Sequence, residues 1–242
     1  MTDRVTLLRG EATRFADAVG RGPLDAPVVA CPGWDVRRLA EHLGHIHRWA
    51  RYAAANGAPQ PADEEEVAPE DAAELVAWVR AGASALADTL DGLDPEAETW
   101  HPFPVPKVAG VWPRRQLQET MIHRWDAEQA IGLRATLDPG LAADGVDEYF
   151  GVMLPRLVVR ERLALPVGSI HVHLTDVPGE WTAVAEEGGV GLTRGHVKGD
   201  AAIRGRAEDV LLALWRRPIR EGALDVVGDG EVADAWLSLG GA

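Results

Sequence analysis

The spacing of the apolar residues changes near Pro166, and this change constrains the fold more than any other feature of the chain. Before this point apolar residues recur at steps of three and four, the period of an α-helix with one buried face. After it, polar and apolar residues alternate over 170–175, the period of a half-buried strand. The sequence therefore predicts an α+β protein, with a helical domain over 1–164 followed by a small α+β domain over 165–242.

Five helices are predicted in the first domain. Asp35 is a typical N-cap residue, and Asn56 and Gly57 are typical of a helix end. Five prolines between residues 93 and 113 exclude a continuous helix there, so the fourth helix is expected to begin after Pro113. Helices joined by long polar connections favour a helical bundle. The predicted helices cover 4–20, 36–56, 70–91, the segment from Pro113 to about 132, and 139–162.

The second domain is predicted to combine strands with short helices. His171 and His173 lie on one face of the first strand, a spacing that can chelate a metal. Because a half-buried strand has one solvated face, we expect both side chains to face solvent at an edge of the sheet. Strands are predicted at 170–175, around 181, at 201–203 and at 224–227, and helices at 210–215 and around 236.

Charge and composition argue against several classes of protein. A formal net charge of -14 would repel phosphates, so nucleic acid is not an expected partner. No apolar run reaches the roughly 18 residues of a membrane span. The single cysteine, Cys31, excludes an intramolecular disulfide and is typical of a reducing compartment. We expect a soluble cytoplasmic protein without a membrane partner, and nothing in the pattern indicates its oligomeric state.

Residues that can bind a metal lie on two predicted helices. Glu119 and His123 are four residues apart, so they stand on one face of the fourth helix. Such a pair can also be a surface contact that contributes a few tenths of a kcal/mol. The second helix carries His42 and His47 on either side of its apolar stripe, and spacing alone does not choose between them. One ligand from the second helix and two from the fourth would leave a position open, as in a catalytic zinc site.

These motifs, in this order, resemble the mycothiol-dependent maleylpyruvate isomerase family, a branch of the DinB-like metal-binding helical bundles. The resemblance rests on Cys-Pro-Gly-Trp-Asp at 31–35, on His42, and on Glu-x-x-x-His-x-x-Asp at 119–126. It covers the helical domain by motif and order, and the remainder by general layout. It implies a DinB-like four-helix bundle followed by a small α+β domain.

The resemblance also implies a site and an activity. Its metal ligands would be His42, Glu119 and His123, with His47 as a reserve ligand or a pocket residue. A divalent metal, zinc by preference, would hold the thiolate of mycothiol as co-substrate, and this thiolate would attack an electrophilic carbon of a small molecule. The implied enzyme is an isomerase or an S-transferase. The alternatives are a non-catalytic metal- or ligand-binding regulatory protein and a metal-dependent hydrolase.

Four further residues near these motifs have two interpretations each. Asp126 either orients His123 as a hydrogen-bond acceptor or is a charge on the helix surface. Cys31 precedes a helix N-terminus, which can activate a thiol, but an inert buried cysteine is favoured. Arg48 and Arg124 can contact a carboxylate substrate, or can simply extend over the edge of the bundle.

Overall fold

The computed structural model describes residues 4–240, so the outermost ends of the two predicted domains, 1–3 and 241–242, lie outside it. Eight α-helices and five strands follow one another in the described chain, which confirms the α+β class. The helices are α1 (Arg4–Arg21), α2 (Val36–Asn56), α3 (Ala72–Asp91), α4 (Val111–Ala130), α5 (Pro139–Glu148), α6 (Leu154–Glu161), α7 (Ala207–Leu214) and α8 (Gly230–Leu237). The strands are β1 (Ser169–Leu174), β2 (Glu180–Glu186), β3 (Gly189–Arg194), β4 (Ala201–Gly205) and β5 (Leu224–Gly228).

The chain divides into two compact units. The first contains residues up to 101 together with 106–135, and the second contains 102–105 and the chain from 136 onward. Helices α5 and α6 therefore lie in the second unit, whereas the predicted boundary at 164 assigns them to the helical domain. The packing of α5 against α7 accounts for this placement. The boundary at 164 stays a prediction.

In the first unit, α1 and α2 each pack against both α3 and α4. Helices α1, α2 and α3 bury their apolar faces against their neighbours, as the three- and four-residue spacing predicts. The interior is mainly aliphatic. Its fully buried side chains include Leu8, Phe15, Leu39, Leu43, Leu75, Leu86 and Leu117.

A tight turn sets the start of α2. The backbone N–H of Trp34 donates to the carbonyl of Cys31 at 2.9 Å, with Pro32 and Gly33 between them. Gly33 has a φ of +81°, so the turn is of type II, which favours proline followed by glycine at its central positions. Asp35 then accepts a hydrogen bond from the backbone of Arg38 and caps α2, as predicted. The turn thereby fixes where the helix begins.

One predicted helix bound is wrong, and one predicted helix is not a regular α-helix throughout. α4 begins at Val111, so Pro113 lies in its first turn. Proline is tolerated there because the first-turn N–H groups have no partner within the helix. The predicted helix over 139–162 is divided by a π-helical turn at Tyr149–Met153. Pro155 follows this turn, and its missing N–H and its ring disfavour regular α-helical bonding to the preceding turn.

The second unit contains one five-stranded sheet in the order β3-β2-β1-β4-β5. β1 pairs with β2 antiparallel and with β4 parallel, so β1 is the central strand. The expectation that His171 and His173 lie at a sheet edge is therefore wrong, because pairing with β4 is a long-range contact that local alternation does not encode. β3 was not among the predicted strands. Among residues 4–240, no helix has the length and apolar character needed to cross a membrane.

Candidate metal centre

α4 is buried on nearly all sides, including most of its polar residues. Buried polar groups need hydrogen-bond partners or ligands, so a helix of this kind carries a structural network or a functional site. Glu119 and His123 therefore do not form the surface pair that the sequence left open. The buried polar and charged residues of α4 are Arg115, Gln116, Gln118, Thr120, His123, Arg124, Asp126 and Glu128.

The three predicted ligands lie together between α2 and α4. One carboxylate oxygen, Glu119 Oε1, lies 3.3 Å from His42 Nε2 and 3.3 Å from His123 Nε2. The two imidazole rings are nearly perpendicular, with their centroids 5.1 Å apart. All three ligand atoms lie within 4.8 Å of one another. The structure thus brings His42, Glu119 and His123 to one point.

This spacing fits a tetrahedral metal. Zinc binds imidazole nitrogen and carboxylate oxygen at about 2.0–2.2 Å, so two of its ligand atoms stand roughly 3.3–3.6 Å apart. The separations of Glu119 Oε1 from the two imidazole nitrogens match that distance. Two histidines and one glutamate are also a known ligand set of catalytic zinc, which keeps a further position for water or substrate.

A second layer of contacts orients these ligands. Asp126 Oδ2 lies 3.0 Å from His123 Nδ1, so the carboxylate accepts the Nδ1–H and leaves Nε2 facing Glu119. Asp126 is buried and also lies 4.0 Å from the thiol of Cys31. Arg115 donates to the other oxygen of Glu119 at 2.8 Å. Asp126 is therefore an orienting residue rather than a charge on the helix surface.

Burial and hydrogen bonding compete in setting the ionisation of this cluster. Burial by itself raises the pKa of Glu119, but hydrogen bonds from His123 and His42 outweigh it and hold the pKa well below its ordinary value. Burial by itself lowers the pKa of His123, but hydrogen bonds with Asp126 and Glu119 raise the pKa from 6.5 to about 9. Without a metal, a carboxylate and an imidazolium therefore face each other in the site.

Models of two domains from known protein families match the chain. A model of the mycothiol maleylpyruvate isomerase N-terminal domain matches residues 5–128, and a model of the MDMPI C-terminal domain matches 140–235. The chain belongs to the mycothiol maleylpyruvate isomerase family. This confirms the resemblance seen in the motifs.

Solved structures share the fold of this family member. One is a crystal structure of the mycothiol-dependent maleylpyruvate isomerase, and another is a variant of that enzyme with a histidine replaced by alanine. Each match has a TM-score of 0.58 and 13% sequence identity and covers 92% of this chain and 91% of the other. At that identity the likeness shows the fold alone. No curated protein matches the chain by sequence.

His47 lies outside the cluster. Its ring is fully buried, and Nε2 is 2.9 Å from the hydroxyl of Thr120. Burial lowers the pKa of His47 from 6.5 to about 3, so the imidazole is neutral. In this family member His42, rather than His47, meets Glu119. The ring of Trp34, held by the turn before α2, packs against His42 with centroids 4.9 Å apart.

The arginines considered from the sequence have partners elsewhere. Arg124 is fully buried and donates to Glu11 at 2.7 Å and to Glu128 at 2.8 Å, so it joins α4 to α1. Arg48 donates to Glu66 at 2.6 Å and lies over the ring of Trp78. Arg115, in contrast, does contact the cluster, through Glu119. It was missed from the sequence, although its four-residue spacing to Glu119 was a usable signal.

Proposed function

We propose that this family member is a metal-dependent enzyme that uses mycothiol as co-substrate. It acts on a small electrophilic molecule, either as an isomerase or as an S-transferase that joins the thiol to it. The metal ligands are His42, Glu119 and His123, and the metal is zinc. The convergence of these three side chains at tetrahedral spacing supports the proposal most directly. Membership of a family named for mycothiol and maleylpyruvate points to the thiol and to isomerisation.

Zinc held by these residues would act as a Lewis acid and lower the pKa of a coordinating thiol, so that the thiol would be ionised at neutral pH. The protein groups prepare this chemistry. Asp126 holds the Nδ1–H of His123, so that Nε2 is the atom presented to the metal. Arg115 holds one oxygen of Glu119, so that the other oxygen faces both histidines. Two neutral imidazoles and one carboxylate leave net positive charge on a divalent ion, which favours an anionic sulfur.

The isomerisation follows from reversible addition of the thiol. The sulfur adds to one carbon of a conjugated double bond, and the electron pair moves toward the activating carbonyl. The former double bond is then single and rotates. Elimination restores the double bond in the other geometry and releases the thiol unchanged, so no oxidant is needed. In the transferase alternative, the adduct is released instead.

A turnover assay with zinc-loaded protein tests this proposal. Maleylpyruvate is the first substrate to try, with and without mycothiol, and isomerisation is followed by absorbance. We expect activity only when both zinc and the thiol are present. His42→Ala and Glu119→Gln should abolish it, because each removes a ligand. His45→Ala is the matched control, since His45 lies on the same helix but bonds to the backbone of Glu66 instead.

Other outcomes would select the alternatives. Zinc-dependent turnover of a hydrolysable substrate without any thiol would favour a metal-dependent hydrolase. Tight zinc binding without turnover of any electrophile would favour a binding protein. Equal activity of the His42→Ala and wild-type proteins would contradict the proposed site.

A further inference from the structure

The sheet of the second unit carries another group of imidazoles, which the first site does not use. His171 and His173 are two residues apart on β1, so they project from the same face. In the antiparallel pairing of β1 with β2, His173 lies opposite Glu180 and His171 lies opposite Thr182. Residues directly opposite one another share a face, so the register brings two imidazoles and a carboxylate together.

The nitrogen and carboxylate oxygen atoms of this group lie close together. His173 Nδ1 lies 3.0 Å from Glu180 Oε1, and His171 Nε2 lies 3.5 Å from Glu180 Oε2. Ligand atoms of these three residues all lie within 4.8 Å of one another. His196, in the segment after β3, adds a third imidazole, with Nδ1 2.8 Å from Glu180 Oε2. Its ring centroid is 5.0 Å from that of His171.

The hydrogen bonds of His171 fix which nitrogen can bind a metal. The hydroxyl of Thr182 donates to the carbonyl of Val197 at 2.9 Å, so its oxygen accepts from the Nδ1–H of His171 at 3.0 Å. In neutral His171 the lone pair is then on Nε2. The side chain of His171 is only 7% exposed, and its buried Nε2 has no hydrogen-bond partner within the described chain. A fixed Nδ1–H and a free Nε2 are the usual arrangement of a metal-binding histidine.

We propose that His171, His173 and Glu180, with His196 as fourth ligand, form a second metal site, which takes a divalent transition ion of the zinc class. Imidazole with carboxylate suits such an ion, whereas magnesium and calcium prefer sites built from oxygen alone. An ion would also satisfy the buried Nε2 of His171, which is otherwise costly to leave without a partner. The side chain of His196 is 77% exposed, so the ion can enter from solvent.

Four protein ligands fill a tetrahedral zinc and are typical of structural sites. This site therefore has a different role from the first one. It would tie β1 and β2 to the segment after β3, and it would stabilise the sheet rather than take part in turnover.

Zinc stoichiometry of the full-length protein tests the second site. The protein is stripped with a chelator, reloaded with zinc and desalted, and bound zinc per chain is measured by elemental mass spectrometry. We expect His173→Ala and Glu180→Gln each to lose one zinc relative to the wild type. His45→Ala, which removes a histidine outside both clusters, should retain the wild-type count. Unchanged zinc content in both His173→Ala and Glu180→Gln would overturn the site.

His123→Ala should lose the zinc of the first site and keep that of the second, so a failure of one proposed site leaves the other testable. If the first site binds none, the wild type holds one zinc and His173→Ala holds none. His196→Ala is the variant that should fold normally. Because this side chain is exposed, its removal is expected to leave the melting temperature of zinc-free protein unchanged. It should weaken zinc binding by about tenfold or more. Wild-type affinity in His196→Ala would exclude His196 as the fourth ligand.

Discussion

The protonation state of His123 couples metal binding at the proposed centre to pH. The pKa of this imidazole is raised to about 9 in the metal-free protein, and a metal binds only the deprotonated nitrogen. Zinc must therefore displace one proton at neutral pH. The apparent affinity of the first site should rise about tenfold per pH unit below that pKa.

Competition with a chromophoric chelator between about pH 6 and 8 measures this slope. The His173→Ala protein is the suitable background, because the second proposed site is then removed. Asp126→Asn removes the carboxylate that supports the imidazolium, so the affinity should stop rising at a lower pH. Zinc affinity that does not change with pH in either protein would contradict the assignment of His123 as a ligand.

His47 makes the stability of the folded chain sensitive to acid, because burial lowers its pKa from 6.5 to about 3. The unfolded chain takes up a proton below about pH 6.5, while the folded chain does not. The stability that comes from neutral His47 is therefore complete above that pH and is lost as the pH falls toward 3. Its slope should be up to about 1.4 kcal/mol per pH unit.

Urea unfolding of zinc-free protein at several pH values tests this prediction. His47→Gln can retain a hydrogen bond to Thr120 and cannot titrate, so its unfolding free energy should fall less steeply with acid than that of the wild type. His45→Gln, a change at a less buried position on the same helix, is the control. Equal acid sensitivity of His47→Gln and the wild type would show that His47 is not kept neutral by the fold.

At the residue scale, the motif chose a set of ligands where helical periodicity left the choice open, and that set stays a prediction. Helical spacing placed Glu119 and His123 on one face but left His42 and His47 as equal choices. The structure separates them, since His42 faces Glu119 and His47 faces Thr120. That difference depends on the rotation of α2 against α4, which is a tertiary contact and is not encoded in the spacing of one helix.

At the element scale, a buried ion network joins α1 to α4. Arg124 bonds to Glu11 and Glu128, and Arg14 bonds to Glu128 from the more exposed side. Replacing Arg124 by alanine would leave two poorly solvated carboxylates with Arg14 as their main remaining partner. We expect Arg124→Ala to lower the free energy of unfolding by about 3 kcal/mol, because a buried charge without its partner is costly.

An exposed ion pair between α1 and α3 provides the matched control. Arg9 and Asp88 lie 2.6 Å apart, with side chains 41% and 68% exposed. Arg9→Ala should therefore cost no more than about 1 kcal/mol. Urea unfolding of both variants gives the comparison. A loss in Arg124→Ala as small as that in Arg9→Ala would mean that the buried network contributes little to stability.

The elements themselves were predicted unevenly, for identifiable reasons. The start of α2 was correct because Asp35 caps it through a local hydrogen bond. The start of α4 was wrong because proline was taken as a helix boundary rather than as a first-turn residue. β3 was missed because Gly189 and Gly191 weaken the local strand signal, and its pairing with β2 is what makes it a strand.

At the scale of the whole molecule, the change of period near Pro166 correctly predicted that helices precede a sheet. It did not reveal that α5 and α6 lie in the second unit, because their helical pattern resembles that of the first four helices. Local periodicity reports which face of an element is buried but not which neighbour buries it. The packing of α5 against α7 is a choice of neighbour, so periodicity does not predict it.

Zinc binding should also be visible in the stability of the chain, because the proposed ligands join α2 to α4, two elements far apart in sequence. A metal that binds the folded chain and not the unfolded one stabilises it by mass action, by about 2.7 kcal/mol at 100 times the dissociation constant. For a chain of this length, that gain should raise the melting temperature by about 5–10 °C. Magnesium should have little effect, since it prefers oxygen ligands.

Calorimetry in the His173→Ala background isolates the first site from the second. Zinc should raise the melting temperature of this protein, whereas the double variant His42→Ala/His173→Ala should respond far less. In the reverse background, His123→Ala, the remaining zinc response should disappear when Glu180→Gln is added. An equal response in His173→Ala and in the first double variant would show that zinc stabilises the chain without His42, and the proposed centre between α2 and α4 would then be wrong.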